Sequence, residues 1–211
     1  MADVGGRPFV AWLIRELEAQ EIQRVIFCTG HRGEVIEEYF GAGRGDLEFL
    51  YSPEASPLGT AGALRHAMHL VRGDRFLALN GDSYTPIEIP RLLEVHRERK
   101  ARATLWLVPV DDCRRYGSVA IDPDGAVLRF DEKITNGVTL SGLINAGVYL
   151  LERDLLSSLP EAVPVSLERE VLPAWIGRGL FGVPGPGPFL DIGTPESYAY
   201  ARKYFLSDIL R

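Results

Sequence analysis

The chain has 211 residues, of which 46% are hydrophobic and 25% charged, and those proportions exclude wholesale disorder. Its net charge is -6, with no block of Lys or Arg, which excludes a broad nucleic-acid-binding face. Residues 8–20 read as the first helix: Pro8 suits a first turn, and Phe9, Leu13 and Leu17 recur at i, i+4 spacing. Residues 23–29 form a short, β-branched, mostly apolar run, the pattern of a buried parallel strand. A helix is expected near 34–40, a strand at 47–51, a helix at 60–71, and a strand at 76–79 that runs into Asn80-Gly81-Asp82. A helix at 89–100 and a strand at 103–110 follow.

The pattern then changes. Residues 117–122, the turn Pro123-Asp124-Gly125 and residues 126–132 read as a β-hairpin. Residues 143–151 are another buried strand, and helices at about 166–176 and 195–205 close the chain. Residues 182–188 (GVPGPGP) are too rich in Gly and Pro for either element. Alternating β and α with apolar strands predicts a Rossmann-like, three-layer α/β/α fold around a mixed, mostly parallel sheet. A single domain over 1–211 is expected, with about 1–110 and about 111–211 forming its two sides.

Other features narrow the setting. No apolar run is long enough to span a bilayer, and Glu16 and Glu18 interrupt what would be the apolar part of a signal peptide. Two cysteines, Cys28 and Cys113, make no disulfide framework. A cytoplasmic protein with no membrane or nucleic-acid partner is the expectation.

Several residues are candidates for chemistry. In open α/β sheets ligands sit beyond the carboxyl ends of strands, and Asp82 directly follows such an end. It reads equally as a ligand-facing carboxylate, suited to Mg²⁺, or as a turn aspartate. Asp191 lies between Leu190 and Ile192, so it needs a partner or a metal; alone it reads as structural. Thr194 suits a helix cap ahead of Pro195. Gly59 and Thr60, in Pro57-Leu58-Gly59-Thr60-Ala61-Gly62, stand where free N–H groups can meet phosphate or a base edge, or where small residues serve close packing. Glu132 and Lys133 are adjacent at the hairpin end and point to opposite faces, so either one of them meets a cleft or the pair is a solvated edge, the reading that spacing alone favours. Asn145 is a lone amide in an apolar strand and must be hydrogen-bonded, to a ligand hydroxyl or to neighbouring backbone. The four histidines show no zinc spacing with cysteine, Cys28 reads as packing, and no G-x-G-x-x-G follows a strand, which argues against a dinucleotide oxidoreductase.

Taken in order, LNGD (79–82), YG (116–117), FDEK (130–133), LINAGVYLL (143–151) and FLDIGTPESY (189–198) resemble the sugar-phosphate nucleotidyltransferases. Residues 57–64 and Ser166-Leu167-Glu168-Arg169-Glu170 are most similar to the heptose 1-phosphate and mannose 1-phosphate guanylyltransferases within that family. The resemblance implies transfer of a nucleotidyl group from a nucleoside triphosphate to a sugar 1-phosphate, with release of pyrophosphate. It implies a nucleotide side in the first half and a sugar-phosphate side in the second. By the same resemblance Asp82 and Asp191 hold Mg²⁺, Glu54, Gly59 and Thr60 lie on the nucleotide, Gly117, Glu132 and Asn145 touch the sugar, and Lys133 meets its phosphate. A carboxylate at Glu54 accepts two hydrogen bonds, and guanine offers N1–H and N2–H₂ side by side, so GTP is favoured over UTP.

The sequence departs from the family in one respect. The glycine-rich signature G-G-x-G-T-R-L, followed by P-K-P, does not occur, and Met1–Pro8 resembles the stretch just after it. On this resemblance the first strand of the sheet is missing, which leaves unpaired edges on two neighbours. Two readings stay open: an active transferase, or a weak or inactive relative that binds a sugar nucleotide. Self-association into a homo-oligomer is expected to be favoured by an incomplete sheet.

Overall fold

A computed structural model describes residues 1–131 and 141–209 of the chain. A short ribbon pairs β1 (Asp3–Val4) with β2 (Arg7–Pro8) and leads into α1 (Phe9–Ala19). Phe9, Trp12, Leu13, Ile14 and Leu17 share the inner face of α1 and are buried. At about 1.5–3 kcal/mol for each large apolar side chain, that face rather than helix propensity holds α1 in place. Next come β3 (Arg24–Thr29), α2 (Gly33–Phe40), β4 (Gly43–Arg44) and β5 (Leu47–Pro53). β3 pairs in parallel with β5, with β4 as an antiparallel edge. Phe27 stacks on Phe40 and Tyr51, with ring centroids 5.1 and 5.4 Å away, and this aromatic cluster fixes α2 against the strands.

The middle of the chain forms α3 (Gly59–Ala67), β6 (Arg75–Leu79), β7 (Ser83–Tyr84), α4 (Ile89–Glu98) and β8 (Ala103–Val110). The hairpin is β9 (Ser118–Ile121) with β10 (Val127–Asp131), and β11 (Gly142–Glu152) follows. A π-helical turn (Leu167–Val171), α5 (Leu172–Ala174), β12 (Leu180–Pro184), β13 (Leu190–Asp191) and α6 (Pro195–Ile209) complete the order. The main sheet runs β10-β9-β11-β8-β12, with β6 also on β11. β12 joins β8 in parallel, whereas β11 is antiparallel to β6, β8 and β9. The fold is therefore mixed as expected, but the pairings of the main sheet are mostly antiparallel rather than mostly parallel, because β11 runs between strands of the opposite direction and organises the sheet. Ala103, Leu105 and Leu107 face one buried cluster and Trp106 and Val108 another, the alternation of a strand covered on both faces.

Two stretches differ from expectation. Residues 166–176 are not one regular helix. The Ser166 hydroxyl caps the turn by accepting from the Arg169 N–H at 3.1 Å, the Val171 N–H reaches back to the Ser166 carbonyl at 3.3 Å, and Pro173 removes a donor, so the α-helical part is short. Residues 180–184 form a strand although they enter the Gly-Pro segment. Leu180 and Val183 are buried, and Pro184 stands at the end of an edge strand, where no ladder bond is lost.

Among the described residues β3 pairs only with β5 within its sheet, and β6 only with β11. Both edges line one groove of about 1380 Å³, whose walls include Leu13, Ile14, Val25, Phe27, Leu64 and Leu77. Asn80, Gly81 and Asp82, at the end of β6, lie at the same groove.

Candidate active site

Asp82 and Asp191 are brought together by the pairing of β7 with β13, in which Asp191 lies opposite Ser83. The Ile192 N–H donates to the Asp82 carbonyl at 3.0 Å and locks the two segments in register. The two carboxylates have different surroundings. Asp191 Oδ1 accepts from the Ser197 hydroxyl at 2.8 Å and the Gly193 N–H at 2.9 Å, and Oδ2 accepts from the Tyr116 hydroxyl at 2.8 Å. Burial works to raise its pKa, but those donors and the Arg115 guanidinium outweigh it and hold the carboxyl below its ordinary value. Asp82 has no side-chain partner among the described residues. Burial, then the charges of Asp191 and Glu168, raise its pKa against the pull of its own backbone N–H.

Like charges on adjoining segments, close enough for Asp191 to raise the pKa of Asp82, fit a cation. Two carboxylates with oxygen lone pairs to spare match a hard divalent ion that keeps water and phosphate as its other ligands. Among the described residues no group of three or more His, Cys, Asp or Glu side chains forms a closed metal cage.

Asn145 owes its placement to a bulge in β11. The register with β8 shifts between Asn145 and Tyr149, and Gly147 between them has φ +72°. A Cβ at Gly147 would sit 2.8 Å from Asn80 Nδ2, so only glycine lets the bulge close over Asn80. The Gly147 carbonyl accepts from the Asn80 N–H at 2.8 Å, which ties β11 to the loop carrying Asp82. Asn145 Nδ2 donates to the Tyr149 hydroxyl at 2.8 Å, and its Oδ1 accepts from the Gly147 N–H at 3.1 Å. Of the two partners anticipated for this amide, the neighbouring backbone group is found at the Gly147 N–H, while the hydroxyl it meets belongs to Tyr149 on its own strand and not to a ligand. Gly117 lies beside it: the Asn145 N–H donates to the Gly117 carbonyl at 2.8 Å.

On the other wall, Glu54 Oε2 accepts from the Leu58 N–H at 2.9 Å and shapes the turn into α3. Gly59 has φ +68°, and a Cβ there would meet the Val165 carbonyl at 2.6 Å. That carbonyl takes the N–H groups of Ala61 and Gly62 at 3.0 and 3.3 Å, so part of the helix start is already occupied by the chain itself. The Thr60 hydroxyl donates to Glu168 at 2.7 Å. Cys28 lines the groove, and burial, with the Glu54 charge, pushes its thiol up to about 11, the wrong direction for a nucleophile. Thr194 caps α6 as expected, accepting from the Ser197 N–H at 3.2 Å. Glu132 and Lys133 lie outside the described residues.

The structure adds groups that residue spacing alone did not single out. Tyr116 and Ser197 hold Asp191, and Tyr149 and Glu168 connect Asn145 to Thr60. Arg115 brings a half-exposed cation to the site, 3.4 Å from Asp191 and 3.4 Å from the Thr194 hydroxyl. These pairs are separated by 75 residues or more in the case of Asp191 with Tyr116 and Arg115, beyond any local pattern.

A mixed α/β fold with a carboxylate pair where a strand end meets a neighbouring turn is the build of a nucleotide-handling enzyme. The chain belongs to the nucleotidyl transferase family, whose model matches residues 1–207. It is 33% identical over 204 residues to the D-glycero-alpha-D-manno-heptose 1-phosphate guanylyltransferase of Aneurinibacillus thermoaerophilus, covering 96% of this chain and 87% of that protein. It is 35% identical over 202 residues to the mannose-1-phosphate guanylyltransferase of Mycobacterium tuberculosis, covering 94% of this chain but only 56% of that protein. The structure of HddC from Yersinia pseudotuberculosis complexed with GMP-PN superposes with a TM-score of 0.84 at 30% identity, covering 97% of this chain and 88% of that one.

Proposed function

We propose that the chain transfers a nucleotidyl group from a nucleoside triphosphate, with GTP favoured, to a sugar 1-phosphate and releases pyrophosphate. The observation that carries this reading is the Asp82–Asp191 pair, one carboxylate unpartnered and the other held in place, at the end of β6 in a chain of this family. The similar proteins named above as guanylyltransferases support the choice of GTP and of a mannose or heptose 1-phosphate. A divalent cation such as Mg²⁺, when bound by Asp82 and Asp191, neutralises non-bridging phosphate charge.

The protein's own residues do the rest by positioning and electrostatics. Tyr116, Ser197 and the Gly193 N–H aim Asp191 and keep it ionised. Glu54, Gly59 and Thr60 form the nucleotide side; Gly117, Glu132 and Asn145 receive the sugar, and Lys133 offsets the charge of its phosphate. An ionised sugar phosphate is itself the attacking group, so no protein nucleophile is needed, in keeping with the raised pKa of Cys28. We place the protein in the cytoplasm as a single domain; its two free cysteines and the lack of a membrane-crossing helix among the described residues suit that setting.

A second reading, binding of a sugar nucleotide without turnover, is favoured by the wide groove that β3 and β6 line, strands that pair only with β5 and β11 among the described residues. Pyrophosphate release from GTP or UTP with Mg²⁺ and mannose or heptose 1-phosphate separates the two. Release that requires both substrates supports transfer. Metal-independent binding of a sugar nucleotide with no release supports the second reading and overturns the first.

A further inference from the structure

Glu168 touches both sides of the site at once. Its Oε2 accepts from the Thr60 hydroxyl at 2.7 Å, on the first turn of α3, and its Oε1 accepts from the Tyr149 hydroxyl at 3.0 Å, on β11. The direction of each bond is set by chemistry. The Thr60 oxygen already accepts from the Leu167 N–H at 2.7 Å, and the Tyr149 oxygen already accepts from Asn145 Nδ2 at 2.8 Å. Each hydroxyl has one proton, and the carboxylate is the acceptor that faces it. Tyr149 is 1% exposed, and its burial, with the nearby Glu168 charge, keeps the phenol protonated and donating.

The chain of bonds therefore has one proton arrangement, from Thr60 through Glu168 and Tyr149 to Asn145. It decides which end of the Asn145 amide points where: Nδ2 to Tyr149, and Oδ1 to the Gly147 N–H at 3.1 Å. The Asn80 N–H donates to the Gly147 carbonyl at 2.8 Å, so the loop carrying Asp82 is tied to the same bulge.

We infer that Glu168 is a positioning residue that couples the nucleotide side at Thr60 to the sugar side at Asn145, so that a ligand engaging one end orders the other. The inference rests on the functional reading above and goes beyond it by making the two substrates' affinities interdependent. The Ser166 hydroxyl also donates to Oε2, at 3.3 Å, and Thr60 and Tyr149 donate to different oxygens, so a glutamine, with one acceptor oxygen, breaks at least one bond of the chain.

The test is calorimetric titration of the full chain with a non-hydrolysable GTP analogue plus Mg²⁺ and with mannose 1-phosphate, each alone and in the presence of the other. The wild-type protein is expected to show each ligand tightening the other by the same factor, of about fivefold or more. In Glu168→Gln and in Tyr149→Phe that factor falls to about one. Thr60→Ser, which keeps the hydroxyl, retains the coupling, and Thr60→Val, which keeps the shape, loses it. A role confined to stability would lower the melting temperature of these variants while the coupling factor persists, and that result overturns the inference. Independent binding of the two ligands by the wild-type protein overturns it as well. Failure of the wild-type protein to bind either ligand sinks the functional reading instead.

Discussion

Asp82 and Asp191 stand on adjoining segments joined by the Ile192 N–H to Asp82 carbonyl bond, yet their surroundings shift their pKa values in opposite directions. Asp191 is supplied with donors, whereas Asp82 is left with negative neighbours. A cation is worth most at Asp82, because it relieves repulsion there without competing with existing hydrogen bonds. Replacing Asp82 by Asn is expected to lower Mg²⁺-dependent turnover by about a hundredfold or more. Thermal stability should hold or rise slightly, since an unpartnered carboxylate repelled by Asp191 and Glu168 is removed. Turnover against Mg²⁺ concentration, together with a thermal melt, checks both; full activity in this variant would take Asp82 out of the metal site.

Tyr116 is the counterpart test on Asp191. Burial and the bond to Asp191 push its phenol up to about 12, so it donates throughout the working pH range. Tyr116→Phe removes a hydrogen bond to a charged acceptor, expected to cost about 1.5–3 kcal/mol of stability at neutral pH. Chemical denaturation of the two proteins reads this directly. Equal midpoints and slopes would show that Asp191 is held without it.

Gly147→Ala places a Cβ within 2.8–2.9 Å of the Asn80 side chain at φ +72°. The variant is expected to lose about 1–3 kcal/mol and to displace both Asn80 and Asn145. A melt that drops while the affinity for sugar 1-phosphate stays unchanged would separate the bulge from the site.

His96 makes stability depend on pH. It is 2% exposed, with Nδ1 2.7 Å from the Thr104 hydroxyl and Nε2 3.1 Å from Glu152. Burial outweighs the pull of Glu152 and holds its pKa below the ordinary histidine value. The unfolded chain then binds a proton that the folded chain refuses. The stabilising effect is complete above the unfolded pKa of about 6.5 and is lost as pH falls below it, by at most about 1.4 kcal/mol per pH unit. Melting temperatures between pH 7.5 and 5.5 should fall less steeply in His96→Gln than in the wild-type protein; parallel curves would locate the pH dependence elsewhere.

Lys133→Ala is expected to raise the KM for sugar 1-phosphate more than that for the nucleotide, since its proposed partner is the sugar's phosphate. Steady-state kinetics with each substrate varied in turn is the measurement. A rise confined to the nucleotide would move Lys133 to the other side of the site.

Much of the fold was readable because its signals are local. The residues of β8 match their predicted span of 103–110, for alternating burial on both faces leaves a continuous apolar run. α1 was visible in its i, i+4 spacing, and Thr194 announced the start of α6. β12 was hidden by Gly182 and Pro184, because its pairing is conferred by β8 and not by its own propensity. The broken helix at 166–176 was hidden because Ser166 and Pro173 act against an otherwise helical pattern.

The site divides along the same line. The order of motifs from Asp82 to Asp191, and the family they belong to, are written in the chain itself, since each motif is a short run whose residue types follow from one strand end or one helix cap. Which carboxylate is satisfied and which is exposed to repulsion is decided only when β7 meets β13 and Tyr116 arrives from a loop 75 positions away. Likewise Asn145 could be recognised as an amide in need of a partner, but its orientation depends on a bulge, a buried phenol and Glu168. Sequence specifies the donors and acceptors that a segment carries; their pairing is set by packing, because hydrogen bonds and desolvation act over a few ångströms of space and are blind to separation along the chain.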